Sequence, residues 1–161
     1  MKCANRRNAL DIGCGTGIPI GKIISDHGFS LTGIDSSQLM IDEFKKNLPG
    51  AIGICKDITE CEVTKYYDFI VSWGCIFHLN YDQQKRILQI VASQLQAGGV
   101  FPFTANNTRG TCAGTMFGKE FTYYSLDRDD YIECLKLYGV VLEWDDFDKS
   151  NNYTYCFSKQ R

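Results

Sequence analysis

The start of the chain admits few folds. Ala9-Leu10-Asp11-Ile12 is an apolar run carrying one acid, and Gly13-Cys14-Gly15-Thr16-Gly17 then places glycine at every second position. The apolar-rich stretch Ile18, Ile20, Ile23, Ile24 reads as a helix directly after it. Glycines let a backbone turn with positive φ and let a ligand lie against bare main chain. A helix start adds unpaired N–H groups. A strand that breaks into such a loop and then a helix is the opening of an α/β sheet with a nucleotide-type cofactor loop at its edge.

Spacing narrows the cofactor. A dinucleotide fingerprint needs G-x-G-x-x-G, with the third glycine allowing close helix–strand packing. Ile18 or Ile20 stands where that glycine belongs, and no Gly-Lys-Ser/Thr of a phosphate loop follows. What remains is D-x-G-x-G-x-G over Asp11–Gly17. That pattern resembles the first motif of class I S-adenosylmethionine-dependent methyltransferases. Later landmarks keep the family's order. They are a strand Ser30–Asp35 ending in an acid, a strand Ala51–Cys55 followed by Lys56-Asp57-Ile58, and a strand Tyr67–Ser72 running into Trp73–Leu79. The turn Leu95–Phe101 then precedes a fifth strand.

The resemblance implies S-adenosyl-L-methionine as cofactor, with S-adenosyl-L-homocysteine as product. It implies cofactor contacts from Asp11, Gly13, Cys14, Gly15, Gly17, Asp35, Ser36, Asp57, Ile58, Ser72 and Trp73. Asp35 would accept from the ribose hydroxyls, Asp57 would take the adenine amino group, and the next backbone N–H would reach the ring. The residues also allow a blander reading: Asp35 and Asp57 could simply cap the helices that follow, with Ser36 or Ser37 as the true cap of the second helix. The cofactor's methyl is already activated by a positively charged sulfur, so a general base is needed only for an acceptor that holds its proton. His78 and Tyr123 are the candidates for that role, since His27 falls near the end of the first helix, while Trp73 and Phe77 read as pocket wall.

The rest of the chain completes a doubly wound, mostly parallel seven-stranded sheet, the Rossmann-like methyltransferase fold, with an antiparallel last strand. A helix is expected over Asp82–Leu95, ended by Gly98-Gly99, and a fifth strand over Val100–Thr104. Ala105–Gly118 reads as a long surface loop. A last helix starts at Ser125 or Asp127 and runs through Leu137, Gly139 stops it, and Val140–Trp144 with Tyr153–Phe157 form a closing pair of strands. Residues 1–161 are expected to form one domain. Members of the family usually carry helices upstream, and with about seven residues ahead of the first strand those cap helices are expected to be largely absent. Acceptor contacts are then expected from Phe117, Phe121, Tyr123 and Tyr124.

Charge and cysteine usage bound the partners. A net charge of −2 and an isoelectric point near 5.6 provide no basic surface for nucleic acid. No apolar stretch reaches membrane-spanning length, and no signal-peptide pattern opens the chain, which points to the cytoplasm. The 8 cysteines include no C-x-x-C pair and no Cys/His cluster, so neither a disulfide framework nor a metal site is expected. Cys14, Cys55, Cys75 and Cys156 are expected as small buried apolar groups. The expected acceptor is a small, partly apolar molecule. Two other functions stay open on the sequence: a non-catalytic S-adenosylmethionine-binding partner subunit or pseudoenzyme, and an NAD-dependent oxidoreductase. The oligomeric state is left open.

Overall fold

A computed structural model describes residues 7–60, 65–116 and 118–161. Strands β1 (Asn8–Ile12), β2 (Ser30–Asp35), β3 (Ile52–Cys55), β4 (Tyr67–Val71) and β5 (Leu95–Thr104) lie parallel in the order β3-β2-β1-β4-β5. Strand β9 (Tyr153–Lys159) runs antiparallel between β5 and the edge strand β8 (Val140–Phe147). This is the expected seven-stranded α/β sheet with its antiparallel closing strand. The order reverses at β1, and the crevice at such a reversal is where open α/β sheets bind ligands.

Helices cover both faces, which is why the strands read as apolar runs instead of alternating ones. Helices α1 (Ile20–Asp26) and α2 (Gln38–Asn47) bury Ile24, Ile41 and Phe44 against Ala9, Leu31 and Val71. Helices α3 (Tyr81–Gln94) and α4 (Arg128–Lys136) bury Ile87, Leu88, Val91, Tyr131 and Leu135 on the side of Leu10, Ile12 and Ile70. Successive strand residues point to opposite faces, so Ala9 and Leu10 belong to different cores. Gly33 is a requirement of this packing. A Cβ there would lie 2.6 Å from the Phe44 ring, which rests directly on β2. Across β5 and β9, Phe103 pairs with Tyr155 and their rings stack at 5.0 Å.

Several boundaries differ from expectation. Gly110–Met116 is a strand, β6, paired with β7 (Lys119–Ser125) in a separate two-stranded hairpin, not a loop. Its side chains are largely exposed, so no apolar alternation marks it in sequence. Helix α3 stops at Gln94, and β5 begins at Leu95 with Gly98 inside it at φ 79°, so the glycines interrupt a strand and do not end the helix. Helix α1 starts only at Ile20, leaving Ile18 ahead of it, and both Ile18 and Ile23 are about half exposed. Strand β4 ends at Val71, and Ser72 forms an isolated bridge with Phe103. Cys14 and Cys156 are buried as expected, but Cys55 is exposed at the β3 edge and Cys75 only partly covered. Asp127 caps α4 by accepting from Asp130 N at 2.9 Å. The expectation about upstream helices and that for Phe117 fall on residues outside the described ones. Among the described residues, no helix is long and apolar enough to cross a membrane.

Gln84 ties the hairpin to helices α3 and α4. Fully buried on α3, it donates from Nε2 to the carbonyls of Leu79 (2.8 Å) and Tyr124 (2.9 Å) and accepts at Oε1 from the Tyr131 hydroxyl (2.8 Å). Gln84→Leu keeps the bulk but strands those carbonyls. Urea unfolding is expected to show a loss of about 1–3 kcal/mol, and an unchanged midpoint would show that the amide does not hold the two segments together.

Candidate active site

The site grows from the turn after β1. The N–H groups of Gly13 and Cys14 both donate to the Ile34 carbonyl, at 2.8 and 3.0 Å, which folds the loop back onto the tip of β2. Gly13 sits at φ 71°, and a Cβ there would lie 2.5 Å from the Cys75 sulfur, so the segment after β4 packs directly on the loop. Gly15, at φ 51°, has open space where a Cβ would stand. Bare main chain is therefore presented to the crevice at one glycine and to the protein at the other.

Asp35, at the end of β2, is gripped by backbone on both oxygens. Gly15 N–H donates to Oδ2 and Ser37 N–H donates to Oδ1, each at 2.9 Å. An ionised carboxylate offers roughly four acceptor positions, so about two stay available on a group whose orientation is already set. The cap of α2 is Ser37, whose hydroxyl accepts from Met40 N at 3.4 Å. Asp57, after β3, does start a short turn, its Oδ1 accepting from the Thr59 N–H (2.8 Å) and hydroxyl (2.7 Å). Capping therefore occupies Oδ1 of Asp57, and Oδ2 takes no part in that turn.

A cavity of about 620 Å³ lies over these tips. Of the residues singled out in the sequence, Gly13, Gly15, Asp35, Ser36, Asp57 and Ile58 line it, and so does His78. The others stand back. Cys14 is buried with its sulfur close to Gly33, and Gly17 is buried against Leu48 and Phe44. Ser72 is fully buried and donates to the Ile12 carbonyl at 3.2 Å, bridging β1 and β4. Trp73 packs on the core under α1 and α2. Tyr123 lies behind the wall, its ring 5.1 Å from His78 and 5.5 Å from Phe77. Met40, Lys56, Cys75, Leu79, Phe121 and Thr122 line the cavity without having been singled out as cofactor contacts. Lys56, Cys75 and Leu79 fall inside quoted motifs, and Phe121 is one of the aromatics after the fifth strand.

The cavity has two unlike ends. The side over the tips of β2 and β3 carries Asp35, Asp57 and Lys56, while the side after β4 carries His78 and Leu79, joined by Phe121, and is largely apolar. Beneath the glycine loop, Asp11 is 2% exposed and its Oδ2 has no hydrogen-bond partner. Burial, assisted by the nearby Asp35 charge, pushes its carboxyl up to about 7. Burial likewise pushes the Cys75 thiol up to about 11, which keeps it protonated and a poor nucleophile at neutral pH. Among the described residues, no three His, Cys, Asp or Glu side chains cluster as metal ligands.

The methyltransferase domain family model matches residues 9–99, from the first strand to the turn inside β5. The chain belongs to this family of S-adenosylmethionine-dependent methyltransferase domains. Among curated proteins it is 25% identical to the ubiquinone biosynthesis O-methyltransferase of Coxiella burnetii, over 81% of this chain and 58% of that one. It is also 25% identical to the tRNA U34 carboxymethyltransferase of Alteromonas mediterranea, over 62% of this chain and 32% of that one. The chain thus spans from about a third to somewhat over half the length of these relatives. Its fold is similar to that of CalS10, an amino pentose methyltransferase from Micromonospora echinaspora solved with the cofactor bound. That match has a TM-score of 0.77 at 13% identity and covers 97% of this chain and 84% of that one.

The residues present fit that cofactor. The open face of Gly15, the spare acceptor positions of Asp35 and the orphaned oxygen of Asp11 suit a ligand bearing vicinal hydroxyls and an ammonium group.

Proposed function

We propose that residues 1–161 form one domain that transfers the methyl group of S-adenosylmethionine to a small, partly apolar acceptor held between the 72–78 segment and the β6–β7 hairpin. The observation that carries this reading is a single cavity with Asp35 at one end and His78 and Phe121 at the other. The cofactor supplies a methyl on a positively charged sulfur, so much of the driving force comes with it. The chain supplies alignment. Asp35 and Asp57 orient the polar portion, Gly13 and Gly15 allow close approach, and Phe121 and Leu79 exclude water from the acceptor end. Holding two reactants in line supplies a large share of such a rate enhancement. The O-methyltransferase relative supports a small acceptor. The net charge of −2 disfavours nucleic acid. The free cysteines, six of them among the described residues, suit the reducing cytoplasm.

Gly114 supports this reading of the hairpin. It faces the Tyr123 ring so closely that any Cβ would collide with it, which lets that ring lie flat across β6 and brace His78 and Phe77. Tyr123→Ala is expected to lower kcat/KM about tenfold, the effect of losing aromatic contacts, with S-adenosylmethionine affinity by calorimetry kept within about twofold. Loss of cofactor affinity with normal acceptor kinetics would make the hairpin a cofactor lid instead. Transfer of labelled methyl to tRNA in preference to every small molecule would overturn the acceptor class. NAD displacing S-adenosylmethionine would overturn the reaction, and tight cofactor binding without transfer would indicate the partner-subunit function.

A further inference from the structure

His78 closes the short helical turn Ile76–His78 and is held there by its backbone N–H donating to the Cys75 carbonyl at 3.0 Å. Its ring is packed on three sides by aromatic rings: Phe77 at 4.8 Å, Tyr123 at 5.1 Å and Phe121 at 5.9 Å. Its fourth side lines the cavity. Neither ring nitrogen has a hydrogen-bond partner among the described residues, in contrast to His27, whose Nδ1 meets the Ile23 carbonyl at 2.7 Å. Burial without a charged partner lowers the His78 pKa, so the ring is neutral at neutral pH and one nitrogen carries a free lone pair. The charged groups on the same cavity are Asp35, Lys56 and Asp57, and none bonds to the imidazole.

We infer that His78 is the general base of methyl transfer, and that the acceptor is a planar, apolar molecule bearing a hydroxyl of phenol type. The inference rests on the methyl-transfer reading above and names its acceptor class. A thiol loses its proton far more readily than a hydroxyl, and its small thiolate fraction is already strongly nucleophilic, so it depends little on a base. A protonated amine is drawn to the carboxylates at the other end of the cavity, and a neutral one already offers its lone pair. A hydroxyl remains neutral and protonated, so it suits an apolar wall and requires a base. As the acceptor oxygen bonds to the methyl carbon, the methyl–sulfur bond breaks with its electron pair left on sulfur. The hydroxyl proton passes to the free nitrogen of His78, and the imidazolium then releases it to solvent. Protons, charge and electrons balance without any further reagent.

The test uses the whole chain with S-adenosylmethionine at pH 8 and three probes for the variant: catechol, which is largely protonated there, 4-nitrocatechol, which is ionised, and thiophenol, which is ionised; benzylamine is added as an amine probe of the wild type. His78→Gln is expected to lower kcat on catechol by about 10²–10⁴-fold. On the two ionised probes it is expected to stay within about fivefold, with cofactor affinity unchanged. Rescue by acceptor ionisation is the readout that a merely structural histidine would not produce. An equal loss on all three probes, or no loss on catechol, overturns the base. A wild-type protein that methylates thiophenol or benzylamine but neither catechol overturns the hydroxyl class while leaving methyl transfer intact. A wild-type protein that methylates no probe of any class overturns the underlying reading, and the inference with it.

Discussion

Replacing Asp35 with alanine is expected to weaken S-adenosylmethionine binding by on the order of 10²-fold or more. Two effects add. The ligand's vicinal hydroxyls lose a charged acceptor, and hydrogen bonds to charged groups contribute about 1.5–3 kcal/mol each, where 1.4 kcal/mol is tenfold. The Gly15 and Ser37 N–H groups, both now bonded to the carboxylate, also lose their partner, so the glycine loop loses its tie to the tip of β2. Asp35→Asn separates the two, because its single carbonyl oxygen can still receive one of those N–H groups. Calorimetry should rank the affinities wild type, then Asn, then Ala. Equal affinity of a folded Ala variant would remove Asp35 from the site.

The second large effect is a pH dependence centred on Asp11. Its carboxyl is ordinarily near 3.8 in an unfolded chain and stands at about 7 in the fold, because burial and then the Asp35 charge disfavour ionisation. The folded state therefore holds this proton more tightly than the unfolded state. The associated stability is fully present below pH 4, falls as pH rises, and is lost above pH 7. That difference corresponds to about 4 kcal/mol in all, of which roughly 2–3 kcal/mol lies between pH 5 and pH 8. Other groups also titrate, so the measurement is the difference between wild type and Asp11→Asn in urea at those two pH values. The wild type should lose that much more than the variant. Identical slopes would mean that Asp11 is ionised throughout. A cationic ligand favours the carboxylate form, so S-adenosylmethionine should protect the wild type more at pH 8 than at pH 5. In Asp11→Asn the protection should vary much less.

The legible part of this molecule was local in origin. Strand, glycine loop and helix follow each other within a few residues, and the acids Asp35 and Asp57 sit where parallel strands end. A parallel sheet gathers its strand ends at one edge whatever the intervening helices contain, so the order of motifs was enough to bring Gly13, Gly15, Asp35 and Asp57 to one cavity. Cys14, Gly17, Ser72 and Trp73 belong to the same motifs yet face the core or a neighbouring strand. Adjacency in a motif does not set the direction of a side chain, because consecutive strand residues point to opposite faces.

What the sequence by itself determined was the α/β class, the succession of strands and motifs along the chain, and the acids at the ends of those strands. Only the tertiary structure decided the apolar end of the cavity. Strand β6 is exposed with no periodicity to reveal it, while β7 turns Phe121 toward the cavity and Gln84 fastens its end to the start of α3. The His78 ring, without a hydrogen-bond partner among the described residues, has its pKa lowered only because Phe77, Phe121 and Tyr123 enclose it. The Asp11 carboxyl acquires its raised pKa only beneath the glycine loop, where it is desolvated. Those properties come from burial and from contacts between distant segments, and a linear pattern of residue types contains neither.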